Sequence, residues 1–194
     1  LVATDHKKIF DLWKKNKINT VMTSKKCLTG TDRVAEVAKK IKKKFYINVQ
    51  GDEPLCNPKD VQKIISYAKK YPNSVINGFT KIKDKTTFNS PHVPKVIFKS
   101  NGDLIYMSRA PIPSNKKKLL VKAWRQVCIY SFPYKSLKIF SNFKKKTPLE
   151  EIEDLELNRF IEFGHKVKMI ELSNKSIAVD TKDDLKKVRR LIKK

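Results

Sequence analysis

The sequence predicts an α/β protein in which a mostly parallel sheet is flanked by helices and an antiparallel hairpin is inserted. Short apolar runs alternate with longer segments of helical period, which is the pattern of βαβ units. Asn101-Gly102 separates two apolar runs, and both of its residues tolerate the positive φ of a tight hairpin turn. A chain of 194 residues with 40% hydrophobic content is large enough to bury one sizeable core.

The first half of the chain contains the alternating elements. The predicted strands are 1–4, 20–23 and 45–49, and the predicted helices between them are 7–15 and 31–43. The apolar residues of the second helix share one face, namely Val34, Val37, Ala38 and Ile41. A third helix begins at Pro58, since proline is favoured at the first helical position.

The second half changes character at the hairpin, whose predicted strands are 95–98 and 104–107. Arg109-Ala-Pro-Ile-Pro113 follows as a rigid extended loop, because each proline restricts itself and its predecessor. The later predicted elements are a strand at 124–132, an amphipathic helix at 149–163 between Pro148 and Gly164, strands at 167–172 and 177–179, and a basic closing helix. No linker or repeat separates these segments, so we expect one domain spanning 1–194.

The net charge of +25 raises the possibility of a nucleic-acid partner, because basic residues neutralise phosphates. Only six of the 44 basic residues are arginine, which is the residue suited to bidentate contacts with phosphates and bases. The lysines are spread along nearly the whole chain, as on a solvated surface. We therefore expect no specific nucleic-acid binding, and a non-catalytic polyanion-binding module is the alternative that the charge alone supports.

The three cysteines indicate a reducing compartment. Cys27, Cys56 and Cys128 are far apart and lack the paired spacing of a zinc site or a disulfide framework. No apolar stretch approaches the length of a membrane span, and the start of the chain does not resemble a signal peptide. A cytoplasmic protein without membrane insertion is expected. The first residues, Leu1-Val-Ala-Thr4, read like a strand already in progress.

Two aspartates follow predicted strands. Asp52 comes after the strand 45–49, with Gly51 before it, and Asp180 follows the strand 177–179. Carboxylates at the carboxyl ends of strands are typical of a ligand site, and Mg²⁺ is usually held by one or two carboxylates plus phosphate oxygens. The alternative is that Asp52 caps a turn and Asp180 caps the last helix. Glu53 is either a further ligand or a loop residue.

Other polar residues have a functional and a structural interpretation. Thr29-Gly30-Thr31-Asp32-Arg33 enters a helix, where backbone amides favour an anionic ligand, although the same residues suit an ordinary capped start. Arg109 can pair with a carboxylate or phosphate of a ligand, or form a surface salt bridge. The acidic helix 149–163 is mostly a solvated face, with Arg159 near its apolar side, and one or two of its charges can face a ligand.

Seven segments together resemble one enzyme family across nearly the whole chain. They occur in the family's order, and Asn48-Val-Gln-Gly-Asp-Glu-Pro54 differs from the matching region of the sialic-acid cytidylyltransferases. The family is that of the CMP-Kdo synthetases, which activate 3-deoxy-D-manno-octulosonate (Kdo). The segments are Val2-Ala-Thr-Asp5, Met22-Thr-Ser24, Thr29-Gly-Thr-Asp-Arg-Val-Ala-Glu36, Asn48-Val-Gln-Gly-Asp-Glu-Pro54, Ser108-Arg-Ala-Pro-Ile-Pro113, Pro148-Leu-Glu150 and Val179-Asp-Thr181.

The resemblance implies a Rossmann-like nucleotidyltransferase fold and a reaction in which the anomeric hydroxyl of a sugar acid attacks the α-phosphate of CTP. The product, a CMP-sugar, would serve lipopolysaccharide or surface polysaccharide synthesis. Asp52 and Asp180 would bind Mg²⁺, and a homodimer is implied. The residues implied for the nucleotide are Thr29, Gly30, Thr31, Asp32 and Arg33, and those for the sugar acid are Gln50, Arg109, Gln126 and Glu156.

The chain departs from the family pattern in three places. The opening glycine-rich loop that carries an Arg and a Lys for the triphosphate has no counterpart, so we expect a single domain that lacks the first strand and this loop, and weak CTP binding. Gln126 and Cys128 replace a His and a Gly, and Leu157 replaces a Gln. The family contacts its sugar in the last two regions. Kdo is therefore the expected substrate, and an amino-substituted Kdo is the alternative.

Overall fold

Strands and helices alternate in the first half of the computed structural model, which describes residues 1–192. The strands are β1 (Val2–Thr4), β2 (Thr20–Met22), β3 (Phe45–Val49), β4 (Val75–Lys81), β5 (Lys95–Phe98), β6 (Leu104–Ser108), β7 (Trp124–Pro133) and β8 (Val167–Glu171). The helices are α1 (Lys7–Lys15), α2 (Gly30–Lys40), α3 (Pro58–Lys70), α4 (Lys85–Asn89), α5 (Tyr134–Asn142), α6 (Pro148–Glu153), α7 (Leu157–Glu162) and α8 (Lys182–Ile192). The last two residues of the predicted domain 1–194 lie outside the described residues.

The main sheet within the described residues has six strands and is mixed. Its order is β6-β5-β7-β4-β8, and β3 pairs with the second half of β7. β7 is antiparallel to β3, β4 and β5, whereas β4 and β8 are parallel. The α/β class with flanking helices is confirmed, and so is the inserted β5–β6 hairpin. β1 and β2 pair in parallel in a separate ladder, and α2 packs against both β1 and β3.

Hydrophobic clusters cover both faces of the main sheet because side chains alternate along β7. Tyr130 and Phe132 point to one face, where they pack with Phe140 of α5 and Phe160 of α7. Val127 and Ile129 point to the other face, against Ile64 of α3. The sheet is therefore buried between two layers of helices, which holds its strand ends in fixed positions.

Strand β4 is absent from the predicted elements for a local reason. Its sequence contains Asn77-Gly78, a dipeptide typical of turns. In the fold, the two amide hydrogens of Asn77 bond the carbonyls of Val127 and Ile129 at 3.1 Å each, where a register shift interrupts the β4–β7 ladder. The side chain of Leu172 occupies the space that a Cβ at Gly78 would need. Both residues therefore serve packing inside a strand.

The predicted helix 149–163 is two helices, and the predicted strand 177–179 has no ladder partner among the described residues. Asp154 ends α6 in the left-handed region, with φ of 51°, and α7 starts three residues later. The break turns Asp154 and Glu156 toward the region beyond β3. In a single straight helix, Asp154 and Glu156 would lie two positions apart and would point in different directions.

Arg159 connects the helices on one side of the sheet. Its side chain is fully buried, and its Nε and Nη2 donate to the two carboxylate oxygens of Glu150 at 2.5 and 2.6 Å. Nη1 lies 3.4 Å from Oδ1 of Asp32 at the start of α2, and the guanidinium packs over the ring of Phe140. One side chain thus joins α2, α5, α6 and α7, and the bidentate geometry is one that lysine cannot reproduce.

Replacing Arg159 should destabilise the whole chain. Arg159→Met leaves the fully buried Glu150 carboxylate without its partner, so we expect a loss of about 3–5 kcal/mol in the free energy of unfolding. Arg189→Met on the exposed side of α8 is the matched control and should change stability by about 0.5 kcal/mol or less. Urea denaturation measures both variants. A loss below about 1 kcal/mol for Arg159→Met would contradict a central role for this ion pair.

Candidate active site

A cleft of about 670 Å³ opens where the chain leaves β3. It brings together residues from the loop after β3, the start of α2, the middle of β7, the α6–α7 junction and the segment before α8. Most of the predicted site residues line it: Thr29, Gly30, Gln50, Asp52, Arg109, Gln126, Glu156 and Asp180. The topology therefore gathers residues from across the chain at one end of the sheet.

Asp52 has an oxygen that the fold leaves without a partner. Its Oδ1 is buried and has no hydrogen-bond partner among the described residues. Burial raises the pKa of Asp52, and the negative charges of Glu53 and Asp180 raise that pKa further. A turn-capping aspartate would have satisfied this oxygen with a backbone amide. The environment instead suits a positively charged ligand.

Asp180 does not cap α8, because Thr181 and Asp184 form the cap of that helix. The amide of Thr181 donates to Oδ2 of Asp184 at 3.0 Å, and the amide of Asp184 donates to Oγ1 of Thr181 at 3.2 Å. This reciprocal pair closes the start of α8. The amide of Val179 donates to the carbonyl of Asp52 at 2.9 Å, which brings the residue before Asp180 against the loop after β3.

The donor set of this edge fits a hard divalent cation. Asp52 and Asp180 supply carboxylate oxygens, and one of these oxygens is buried without a partner. Across residues 1–192, His, Cys, Asp and Glu side chains form no cluster of three or more that could enclose a metal ion. Mg²⁺ commonly takes only one or two protein carboxylates and completes its shell with water and substrate oxygens. The chemistry of these two side chains therefore matches a metal whose other ligands come from water and substrate.

The start of α2 is closed by the protein's own carboxylates. Thr29 and Asp32 form a capping box, and Oε2 of Glu156 accepts a hydrogen bond from the amide of Thr31 at 2.8 Å. The side chain of Arg33 pairs with Asp5 at 3.2 Å, on the side of β1. Of the five residues predicted for a nucleotide, only Thr29 and Gly30 line the cleft. The other three hold α2 in place.

Glu156 and Gln50 meet beside the start of α2. The amide nitrogen of Gln50 donates to Oε1 of Glu156 at 3.4 Å, and the backbone amide of Gln50 donates to the carbonyl of Cys128 at 3.2 Å. Burial raises the pKa of the Glu156 carboxyl, and the hydrogen bond from the Thr31 amide opposes that rise. The two predicted sugar-acid residues thus form one polar wall of the cleft.

Arg109 forms the opposite wall and is held from several sides. Its Nε donates to the carbonyl of Glu153 at 2.7 Å and its Nη1 to the carbonyl of Pro91 at 2.9 Å. The fully buried Lys95 donates from Nζ to the carbonyls of Arg109 and Ser90 at 2.5 and 2.8 Å. The Nη2 of Arg109 also donates to the carbonyl of Asp154 at 3.3 Å, so three of the five guanidinium N–H groups are used and two remain for a ligand.

Gln126 is turned into the sheet. Its amide nitrogen donates to Oδ1 of Asn77 at 3.2 Å and to the hydroxyl of Tyr130 at 3.1 Å. Both amide hydrogens are therefore used, and the group that remains is the acceptor oxygen. Gln126 lines the cleft, but only its side-chain oxygen is available to bond a ligand.

Comparison with known proteins identifies the family. The family model described as cytidylyltransferase matches residues 1–170. A 3-deoxy-manno-octulosonate cytidylyltransferase of Chlorobaculum tepidum is 33% identical over all of this chain and 79% of its own length. The mitochondrial 3-deoxy-manno-octulosonate cytidylyltransferase of Arabidopsis thaliana is also 33% identical, over all of this chain and 68% of its own length. The chain belongs to the 3-deoxy-manno-octulosonate cytidylyltransferase family.

Solved structures agree with this membership. The structure of a CMP:2-keto-3-deoxy-manno-octonic acid synthetase complexed with CTP superposes with a TM-score of 0.89 at 30% identity, over 99% of this chain and 79% of that chain. The inositol-1-phosphate CTP transferase of T. maritima has a TM-score of 0.67 at 16% identity, over 99% of this chain and 75% of that chain, and shares the fold. Membership of the cytidylyltransferases makes this chain a nucleotidyltransferase and favours an enzyme over the non-catalytic polyanion-binding module.

Several residues of this cytidylyltransferase cleft were missed from the sequence. Lys187 lines the cleft from α8, close enough to lower the pKa of Asp184 by its charge, and it has no hydrogen bond or ion pair to another described residue. Arg125 and Ser176, which were also missed, line it as well, and so does Glu53, for which the sequence left a ligand and a loop role open. A lysine in a basic helix carries no signal that separates it from its neighbours. In the part of the chain that the structure describes, no helix is long and apolar enough to cross a membrane.

The buried Lys95 should give the cytidylyltransferase a distinct pH dependence of stability. Burial lowers the pKa of Lys95 to about 8. The negative charge of Glu153 opposes this shift, and the positive charge of Arg109 adds to it. Between this pKa and the ordinary lysine pKa of about 10.4, the unfolded chain binds more protons, so stability rises with pH. Relative to Lys95→Met, we expect the wild type to gain on the order of 2 kcal/mol between pH 7.5 and 10.

Urea denaturation of both proteins at several pH values measures this difference. Comparing the two proteins cancels the titration of all other groups, provided that the same groups titrate in both. A difference that stays constant over this pH range would show that Lys95 keeps its ordinary pKa in the folded protein.

Proposed function

We propose that this protein transfers CMP from CTP to Kdo and releases pyrophosphate. One observation carries the proposal: Asp52 has a buried oxygen without a partner among the described residues, and its carboxylate lies near that of Asp180. Both residues line the cleft that also contains most of the residues predicted to bind substrate. The names of the related proteins, which are Kdo cytidylyltransferases, support the same reaction. A cytidylyltransferase of known structure was solved with CTP, which supports CTP as the nucleotide.

In this proposal Asp52 and Asp180 hold Mg²⁺, which would neutralise phosphate charge and lower the pKa of the sugar hydroxyl. Thr29 and Gly30 contact the nucleotide from the start of α2, and Thr31, Asp32 and Arg33 keep that start in position. The new bond joins the anomeric oxygen to the α-phosphorus, and the bond to pyrophosphate breaks. The protein's contribution is then mainly orientation and charge compensation.

The sugar acid would lie between the two polar walls. Arg109 has guanidinium N–H groups left over from its backbone contacts and would meet the sugar carboxylate. Gln50 and Glu156 would bind hydroxyl groups from the opposite side. Gln126 would present its carbonyl oxygen, since its amide hydrogens are used by Asn77 and Tyr130.

We also propose a homodimer that uses the β5–β6 hairpin. β6 is an edge strand of the main sheet, and its Ile105 is 48% exposed. Ile152 of α6 is 79% exposed. A partner over these side chains would remove apolar surface from water. The cytoplasmic location stays a prediction from the three cysteines.

The reaction is tested by pyrophosphate release from CTP with Mg²⁺, comparing Kdo with an amino-substituted Kdo. We expect Kdo to be turned over, and Asp52→Asn and Asp180→Asn to lower kcat by at least about 100-fold. Because the pKa of Asp52 is raised in the folded state, the ionised carboxylate costs stability at neutral pH. Asp52→Asn should therefore raise the Tm in metal-free buffer while it removes activity.

Two results would count against this assignment. One is the absence of pyrophosphate release with either sugar acid. The other is full turnover in both asparagine variants, since the two carboxylates would then have no part in the reaction. A lower Tm for Asp52→Asn would contradict the electrostatic account of its environment.

We further propose that Lys187 binds a phosphate of CTP at the Asp180 side of the cleft. Arg125, the other cation there, donates to the carbonyl of Ser176, whereas Lys187 has no bonded partner among the described residues. Lys187→Ala should raise the KM for CTP about fivefold or more, with a smaller change in kcat. Lys186→Ala is the control, since Lys186 pairs with Asp183 and lies outside the cleft lining. Equal KM values for the two variants would exclude this role.

A further inference from the structure

The segment that carries Asp180 has no regular secondary structure, yet it is fastened along its length. Between the end of β8 and the start of α8, residues 173–180 run past the loop after β3. Ser173 is held by Asp60 of α3, which accepts its backbone amide at 3.0 Å and its hydroxyl at 2.5 Å. This contact fixes where the segment begins.

Arg125 of β7 holds the middle of the segment. Its Nη2 donates to the carbonyl of Ser176 at 2.9 Å and to Oδ1 of Asn174 at 3.1 Å. Burial lowers the pKa of Arg125, and the negative charge of Glu53 opposes that shift. This half-buried guanidinium therefore makes two of its hydrogen bonds to the segment 173–180.

Glu53 holds the same point from the loop after β3. Its carboxylate accepts a hydrogen bond from the hydroxyl of Ser176 and another from the backbone amide of Cys128 at 3.2 Å. Glu53 and Ser176 are 4% and 1% exposed. The next residue back, Asp52, accepts the amide of Val179 through its carbonyl. Two consecutive residues thus bind the segment just before Asp180.

This fastening acts against an electrostatic force. Asp52, Glu53 and Asp180 all line one edge of the cleft with like charges, and an oxygen of Asp52 is buried without a partner among the described residues. Asp180 is exposed and belongs to a segment without regular secondary structure, so it would move away from Asp52 if no other contact held the segment. Hydrogen bonds at Ser173, Ser176 and Val179 oppose that movement.

We propose that Glu53 and Arg125, acting through Ser176, are positioning residues that hold Asp180 beside Asp52 before a divalent metal binds. The inference rests on the proposed function only in assigning a metal to the two aspartates. Glu53 is then neither a metal ligand nor a passive loop residue. It sets the geometry of the metal pair from the adjacent position in the chain.

The test measures metal affinity and segment protection without turnover. Mn²⁺ binding to the whole protein is titrated by electron paramagnetic resonance for the wild type, Ser176→Ala and Glu53→Gln. Ser176→Ala removes one hydroxyl and keeps every charge, so it stays informative if Glu53→Gln fails to fold. Ser141→Ala is the matched control, because that hydroxyl bonds only the carbonyl of Lys138 in its own helix.

We expect the Mn²⁺ dissociation constant to rise about three- to tenfold in Ser176→Ala and Glu53→Gln, as for the loss of one hydrogen bond, and to stay unchanged in Ser141→Ala. Hydrogen exchange should be faster for the amide of Val179 in the first two variants only. Unchanged Mn²⁺ affinity and exchange in Ser176→Ala would overturn the proposal, as would a wild type that binds no Mn²⁺. A wild type that binds Mn²⁺ but releases no pyrophosphate would instead overturn the proposed reaction.

Discussion

The antiparallel pairing of β7 on both of its edges determines where every part of the cleft lies. One edge takes β3 and the first residue of β5, and the other edge takes β4 along most of its length. The register of Val49 opposite Ile129 places Gln50 against the carbonyl of Cys128. The loop with Asp52 therefore leaves β3 beside the residues of β7 that line the cleft. A slip of one residue in this register would turn the side chains of β3 to the opposite face of the sheet.

Two layers of helices keep this sheet in place, and a single buried ion pair couples the layer on the α2 side. Arg159 binds Glu150 with two hydrogen bonds and reaches Asp32 at the start of α2. The start of α2 in turn receives the carboxylate of Glu156. A buried pair of this kind stabilises little relative to an apolar core, but either partner alone is costly. Its effect is to make the cleft wall and the helix packing depend on each other.

Three carboxylates lie at one edge of the cleft, and bringing their like charges together lowers the stability of the folded state. The charges of Glu53 and Asp180 both raise the pKa of Asp52, and Asp52 keeps an oxygen without a partner among the described residues. The excess of lysine on the surface provides a positive field around this acidic edge, which suits substrates that carry phosphate and carboxylate groups.

The α/β class and the β5–β6 hairpin could be predicted from the sequence, because hydrophobic periodicity and turn dipeptides are local signals. Most of the predicted site residues line the cleft, although they are a minority of its lining. The sequence indicated Asp52 and Asp180 by their places after predicted strands, and Gln50 only through the family resemblance. It did not reveal β4, whose Asn77-Gly78 serves packing, or the break at Asp154 that turns Glu156 toward α2.

Only the tertiary structure decided which polar residues serve the site and which serve the fold. Thr31, Asp32 and Arg33 share a motif with Thr29 and Gly30, yet their side chains or amides bond to Glu156, Arg159 and Asp5. The roles of Glu53 and Ser176 depend on a contact between residues 123 positions apart. Hydrogen bonds between residues so distant in the chain leave no periodicity or spacing in the sequence. They can be identified only once the folded sheet brings the two residues together.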